Sequence, residues 1–311
     1  MTTSTILPTP ADVGRAAERI AVHIRRTPVL RARIDGLPVV LKLENLQLTG
    51  SFKLRGALSA LGGGERPEHV VTASGGNHGL AVATAAALLR LPATVYTPES
   101  VPLAKARRIE ATGATLIRHG ATYAEAAAEA MSAASASAAA SVEAGARYVP
   151  AYNDPLVIAG QGTCAAEAVA DAPDVDNLVV AVGGGGLAAG TVLGAGGRPV
   201  TAVEPEHCQA LHDALAAGRP VDSAVRSVAS SALGATRIGD KPFEILRAGP
   251  VRSVLVSDAE IIEARNRLWE EFRLAVEPAG AVPFAAWLAG RVPGDLPCLV
   301  ICGANADWVP A

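Results

Sequence analysis

Short apolar, β-branched runs recur along the chain between longer stretches with helical spacing. VVLKLE (39–44), HVVTA (69–73), ATVYTP (93–98), ATLIR (114–118), NLVVAV (177–182), PVTAVEP (199–205) and LPCLVIC (296–302) read as strands. Alanine-rich or amphipathic segments at 77–90, 103–112, 155–170 and 258–272 read as the helices between them. Parallel strands need long crossovers, so this alternation predicts an α/β protein with open, mostly parallel sheets and helices on both faces. Residues 121–147 resemble low complexity, but alanine is the strongest helix former, and Glu125 and Glu129 share one helical face. The segment also lacks the proline and charge density of a disordered linker, so it is predicted to be a crossover helix.

Composition narrows the picture. A chain of 311 residues can bury a large core and suggests about two domains. Its apolar runs are too short and too interrupted for a membrane span. The opening MTTSTILPTP has no basic stretch followed by an apolar core, so it carries no export signal and the expected location is the cytoplasm. A net charge of −3 with interspersed acids and bases gives no electrostatic ground for a nucleic-acid or membrane partner. The four cysteines, Cys164, Cys208, Cys298 and Cys302, contain no CxxC. Cys298 and Cys302 fall on one strand-like run, roughly 13 Å apart at strand rise, which excludes a mutual disulfide or a shared metal. So sparse a count suits a reducing compartment. His23, His69, His119, His207 and His212 show no ligand spacing and are read as structural or solvated, so no metal site is predicted.

Candidate chemistry begins with three glycine-rich punctuations, each following a predicted strand: TASGGNHG (72–79), VGGGGLAAG (182–190) and CGANAD (302–307). Ligands of open α/β sheets bind at the carboxyl ends of strands. Gly183 to Leu187 end one strand and open a helix, so bare backbone N–H groups can converge on an anion. The run lacks the Lys-Ser/Thr of a P-loop and is a poor GxGxxG, which favours a phosphate that is not part of a nucleotide. A tight turn serving only packing is the plainer alternative. Lys53, in LTGSFKLRGA, stands between Phe52 and Leu54 where a helix begins. A lysine in a helix is ordinarily a solvated surface residue. Apolar neighbours lower an amine's pKa and make it a nucleophile toward carbonyls. A phosphate cradle together with such a lysine suggests pyridoxal 5′-phosphate.

The motifs GSFKLRGA, TASGGNHG, AGQGT (159–163), GGGGL, VEP (203–205), EPAG (277–280) and CGANAD occur in a telling order. In that order the chain resembles the fold-type II, tryptophan-synthase-β-like pyridoxal-phosphate enzymes, specifically their serine/threonine dehydratase branch, from about Arg26 to Asp307. The resemblance implies a small α/β domain near 48–152, and a large one from 1–47 and 153–311, with the cofactor between them. It implies that Lys53 binds the cofactor aldehyde, Phe52 lies against the ring, Asn77 bonds the 3′-oxygen, and Gly183, Gly184, Gly185, Gly186 and Leu187 hold the phosphate. Ser74, Gly75, Gly76, Asn77 and His78 match the loop that receives the substrate carboxylate, and Cys302 matches the position facing the pyridine nitrogen. A thiol there is a weak neutral partner, which suits elimination better than a long-lived carbanion. The implied reaction converts L-serine or L-threonine to a 2-oxo acid and ammonia, in an enzyme that is usually a homodimer.

Two departures bear on this. Serine racemases carry a second serine where this chain has Gly75, so racemisation is not expected. Racemases and some dehydratases bind a divalent cation through the glutamate matching Glu204 and a nearby aspartate, and here Asp213 lies farther along the chain. A strand-end carboxylate, in solvent or capping the next helix, is the other reading of Glu204. No feedback-regulatory domain is expected beyond Asp307. Alternatives open at this point are a 3-hydroxyaspartate or phenylserine dehydratase, a threonine-synthase-like enzyme, and a non-catalytic cofactor-, amino-acid- or dinucleotide-binding module.

Overall fold

The computed structural model describes residues 6–140 and 145–306. The first five residues of MTTSTILPTP, positions 141–144 of the segment read as a crossover helix, and Asp307 of CGANAD lie outside them. Ten strands occur among the described residues: β1 Val29–Ile34, β2 Leu37–Lys42, β3 His69–Ala73, β4 Ala93–Thr97, β5 Thr115–Arg118, β6 Ala146–Tyr148, β7 Asn177–Ala181, β8 Val200–Pro205, β9 Val251–Val256 and β10 Pro297–Val300. They form a six-stranded sheet ordered β1-β2-β10-β7-β8-β9 and a four-stranded sheet ordered β5-β4-β3-β6. Every pairing is parallel except β1 with β2. The expected α/β architecture with mainly parallel sheets is therefore present. No helix among the described residues is long and apolar enough to cross a membrane.

The strands that sequence pattern finds are mostly interior ones. β7, β8 and β10 are buried at every position, which is why they read as unbroken apolar runs. β1, β6 and β9 are absent from that pattern, and each lies at a sheet edge: exposed positions break up the signal in β1 and β9, and β6 is three half-buried residues long. The helix expected over 121–147 runs from Tyr123 to Ala140, and the end of that segment is β6. In the last apolar run, pairing stops at Val300, so Cys302 stands just past the strand end rather than on it.

Three strand ends set the site. β3 ends into Ser74, β7 ends before the glycines, and β10 ends before Cys302. After β2 the chain passes through a 3-10 turn (Glu44–Leu46) and bends at Gly50, whose φ of +74° and close approach to the Asn305 side chain suit only glycine. Ser51 then bridges Gly303, Phe52 N donates to Cys302 O (3.2 Å), and Ala304 N donates to Gly50 O (2.9 Å). Two segments some 250 positions apart are thereby stitched side by side, immediately before the helix Lys53–Leu61 begins.

That helix is buried on all sides from Leu54 to Leu61. It meets the helix Pro155–Asp171 closely enough that a side chain at Gly56 or Gly160 would collide with its neighbour. Arg55, fully buried, uses all five guanidinium N–H groups: two bond Glu44, two bond Glu167 and one bonds Thr163 Oγ1, at 2.7 to 3.1 Å. Buried Lys42 donates to Glu167 Oε2 and Thr27 O, both at 2.7 Å, and Thr27 Oγ1 donates to Glu44. Two cations and two carboxylates thus neutralise one another beneath the helix that carries Lys53.

Candidate active site

Lys53 opens its helix facing a cleft of about 640 Å³. Its Nζ donates to Ala151 O (3.1 Å) and stands 5.2 Å from the centre of the Phe52 ring. Burial lowers its pKa from the ordinary 10.5 to about 8, with Cys302 and Glu277 pulling the other way. Deeper in, a small cavity brings together Phe52, Lys53, Asn77, the loop Gly183–Leu187, Glu277 and Cys302. The residues singled out from sequence for the cofactor therefore converge on one space.

The glycine loop admits no side chains on its packed face. A Cβ at Gly184 would lie 2.1 Å from the Tyr152 ring, and one at Gly185 would lie 2.5 Å from Ile238 Cδ1. Gly185 has φ +91° and precedes the helix Gly186–Gly194, whose first-turn N–H groups have no preceding turn to bond. Asn77 begins the helix Asn77–Leu88. It is held by a polarised chain in which Arg108 Nη2 donates to Asn305 Oδ1, Asn305 Nδ2 to Asn77 Oδ1, and Asn77 Nδ2 to Glu277 Oε1, at 2.8, 2.8 and 2.7 Å. One N–H of Asn77 is left to donate elsewhere. The Cys302 thiol donates to Ala279 O (3.4 Å), and burial, with Glu277 nearby, pushes it well above the ordinary thiol range, so it is neutral.

Ser74, Gly75 and Gly76 form the floor of the cleft, where Gly76 N donates to Ser74 Oγ (3.1 Å). A side chain at Gly75 would meet Val101 Cγ2 at 2.3 Å, so a serine there would require Val101 to shift. His78 turns its ring inward: Nε2 lies 3.0 Å from both Thr72 Oγ1 and Val149 O, and burial, then the Lys53 charge, lowers its pKa to about 3. It is a neutral structural imidazole, and only its backbone is placed to meet a ligand. Glu204 is buried rather than solvated. Its two oxygens accept from Leu211 N (2.8 Å) and His212 N (2.9 Å), which caps the helix Ala210–Ala217, and burial raises its pKa to about 8. Asp213 is engaged separately by Gln209 and Ser223.

Sequence reasoning gave no role to Glu277, Asn305, Tyr152 or Lys105; Tyr152, Lys105 and Glu277 line these cavities, and Asn305 lines a small space beside them with Lys105 and Glu277. Glu277 precedes Pro278 and reads as the cap of the helix Pro278–Leu288, yet its side chain makes no cap and turns into the cavity. Burial raises its pKa, against the opposing pull of Asn77, Lys105 and Lys53.

A family model described as pyridoxal-phosphate dependent enzyme matches residues 20–303. An L-threonine ammonia-lyase of Geobacter sulfurreducens is 37% identical over 309 residues, covering 95% of this chain and 75% of that protein. A beta-hydroxyaspartate dehydratase of Paracoccus denitrificans is 34% identical over 319 residues, covering 97% of each. The crystal structure of a threonine deaminase of T.th. superposes with a TM-score of 0.89 at 34% identity, covering 97% of this chain and 100% of that one.

Proposed function

Because the chain belongs to the pyridoxal-phosphate dependent enzymes, we propose that it is an ammonia-lyase that converts L-threonine or L-serine to a 2-oxo acid and ammonia by α,β-elimination. The observation that carries this reading is the Lys53 amine, half-buried between Phe52 and the cleft and next to a glycine loop whose packed face admits no side chain. These residues suit the cofactor: a half-buried amine of lowered pKa, a bare anion cradle, an amide with a spare donor, and a neutral thiol. We assign residues 48–152 to a smaller domain and 1–47 with 153–311 to a larger one, the cleft lying between them.

When bound, pyridoxal phosphate supplies an aldehyde that captures the amino group and a conjugated ring that accepts the electron pair released at Cα. The amides of Gly183–Leu187 would hold its phosphate, Phe52 would lie against the cofactor, and Asn77 would offer it the remaining N–H. Cys302 would meet it as a thiol that burial keeps neutral. Ser74 Oγ and the N–H groups from Gly75 to His78 orient the substrate carboxylate. Lys53 as free amine takes the proton from Cα and, as ammonium, gives one to the departing β-hydroxyl, which leaves as water. The Cα–H and Cβ–O bonds break and a Cα=Cβ bond forms. The released enamine then takes up water and loses ammonia.

Purified holoenzyme supplied with L-threonine and L-serine should release equal amounts of ammonia and 2-oxo acid; a protein that carries the cofactor but releases neither contradicts the reading. Since only the free amine attacks an aldehyde, cofactor uptake by the apoprotein should accelerate with rising pH and level off above about 8, the value to which burial lowers Lys53. Stopped-flow absorbance reads this directly, and a rate still climbing toward 10.5 would place the amine in water. Gly184→Ala pushes a methyl into the Tyr152 ring. It should weaken cofactor affinity by about 10- to 100-fold, equivalent to the roughly 1–3 kcal/mol of an overpacked site, measured by titrating apoprotein with cofactor.

A second substrate reading has an observation of its own. Relatives include dehydratases of beta-hydroxyaspartate, and a cation, Lys105, lines the same cleft.

A further inference from the structure

Resting on the elimination reading above, we propose that this cleft selects β-hydroxy amino acids that carry a second carboxylate on Cβ, and that Lys105 is the residue that reads it. Lys105 lies on the helix Leu103–Glu110, half-buried, and lines both the 640 Å³ cleft and an adjoining space of about 50 Å³. Gly75, Gly76, Asn77 and Ser231 border both spaces as well. The Lys105 side chain makes no ion pair or hydrogen bond among the described residues. Its neighbours are already committed. Arg108, one turn along, donates to Asn305 Oδ1, and Glu277 attracts Lys105 but is bonded by Asn77 Nδ2 and by the Asn305 backbone.

The position of this cation limits what the substrate side chain can be. With the α-carboxylate on the Ser74–His78 loop and Cα near Lys53, Lys105 is the remaining cationic side chain in the cleft lining, and Ser231 lines the same space. A hydrogen or methyl group there leaves an ammonium partly desolvated with nothing to pair it, whereas a carboxylate makes a charge-assisted bond to Lys105 and can accept from the Ser231 hydroxyl. The charge also matters to the chemistry. Removing the Cα proton places negative charge next to a β-carboxylate, and at this range like charges repel strongly in a partly buried cleft. Lys105 offsets that repulsion only for a dicarboxylic substrate. The bond changes are those given above, and the products are a 2-oxo dicarboxylate and ammonia.

The test compares kcat/KM of the holoenzyme on L-serine, L-threonine and the threo and erythro forms of 3-hydroxyaspartate, for the natural protein and for Lys105→Met and Lys105→Gln. A titration with succinate, an unreactive dicarboxylate, is read from the visible absorbance of the bound cofactor. The natural enzyme is expected to favour one 3-hydroxyaspartate isomer over threonine by at least about tenfold, and the substitutions should cut that ratio and the succinate affinity by about 10-fold each, as for loss of one hydrogen bond to a charged group. A preference for serine or threonine that the substitutions leave unchanged overturns the inference, as does an equal loss on every substrate with succinate binding intact. If no amino acid is turned over, the ammonia-lyase reading fails, and succinate still decides: binding that depends on Lys105 supports the dicarboxylate pocket, and binding that does not overturns it.

Discussion

Lys53→Ala should abolish both the visible absorbance of the bound cofactor and at least about a thousandfold of turnover, since general acid–base work alone is worth about 10² to 10⁴ and a covalent anchor is lost with it. The geometry gives the reason. The amine that lines the deep cavity with the glycine loop and Cys302 also lines the cleft where substrate enters. Of the other polar groups in those walls, Asn77 is an amide, His78 is turned to Thr72 and Val149, and Glu277 is bonded by Asn77. Lys105 borders the cleft but not the deep cavity of the glycine loop and Cys302, so it is not placed to replace Lys53. The measurement is an absorbance spectrum with excess cofactor alongside an ammonia assay on the chosen substrate. A variant that kept both the absorbance and the activity would remove Lys53 from the chemistry altogether. Alanine at this position should cost little stability, because deleting an amine of lowered pKa relieves a desolvation cost.

The second large effect concerns folding. Arg55→Met should destabilise the protein by about 3–5 kcal/mol, the range for breaking a buried ion pair by removing one partner. Glu44 and Glu167 would then face each other with Lys42 as their remaining cation. Burial disfavours the guanidinium charge, but Glu44 and Glu167 more than offset this and hold Arg55 well above its ordinary range. Glu167 is held below 4.5, since Arg55 and Lys42 together outweigh its own burial. A carboxylate lowered in this way stabilises above its unfolded pKa, so that contribution is lost as pH falls below about 4.5. Arg55→Lys keeps the charge but not the planar fork that spans both carboxylates, so it should recover only a minor part. Urea unfolding followed by circular dichroism would measure both variants. A loss under about 1 kcal/mol would mean that the carboxylates are relieved by water or protonation and that the network is not holding the helix.

What could be read beforehand divides along a physical line. β7, β8 and β10 announced themselves because a strand covered on both faces must be apolar throughout. β1 carries Arg31 and Arg33 to the outside, and β6 has three residues, so neither makes a pattern that stands out from a loop. The same division holds in the site. Lys53, Gly183–Leu187 and Ser74–His78 were legible because backbone-level chemistry, a turn or a bare N–H cradle, leaves glycine in the sequence. Glu277 and Asn305 left no such trace: their roles come from contacts with Asn77, 200 and 228 positions away. Lys105 is one basic residue among several on an amphipathic helix, and only the folding of that helix against the cleft distinguishes it from Arg107.

β10 is inserted between β2 and β7 although, among the described residues, it follows every other strand in the chain. The large sheet therefore cannot close until the polypeptide has emerged as far as Val300, and the partner backbone for Phe52 follows directly behind it. Nascent chains should be unable to trap the vitamin-derived cofactor before that point, and two strand edges, those of β2 and β7, stay unpaired for chaperones to shield in the interval.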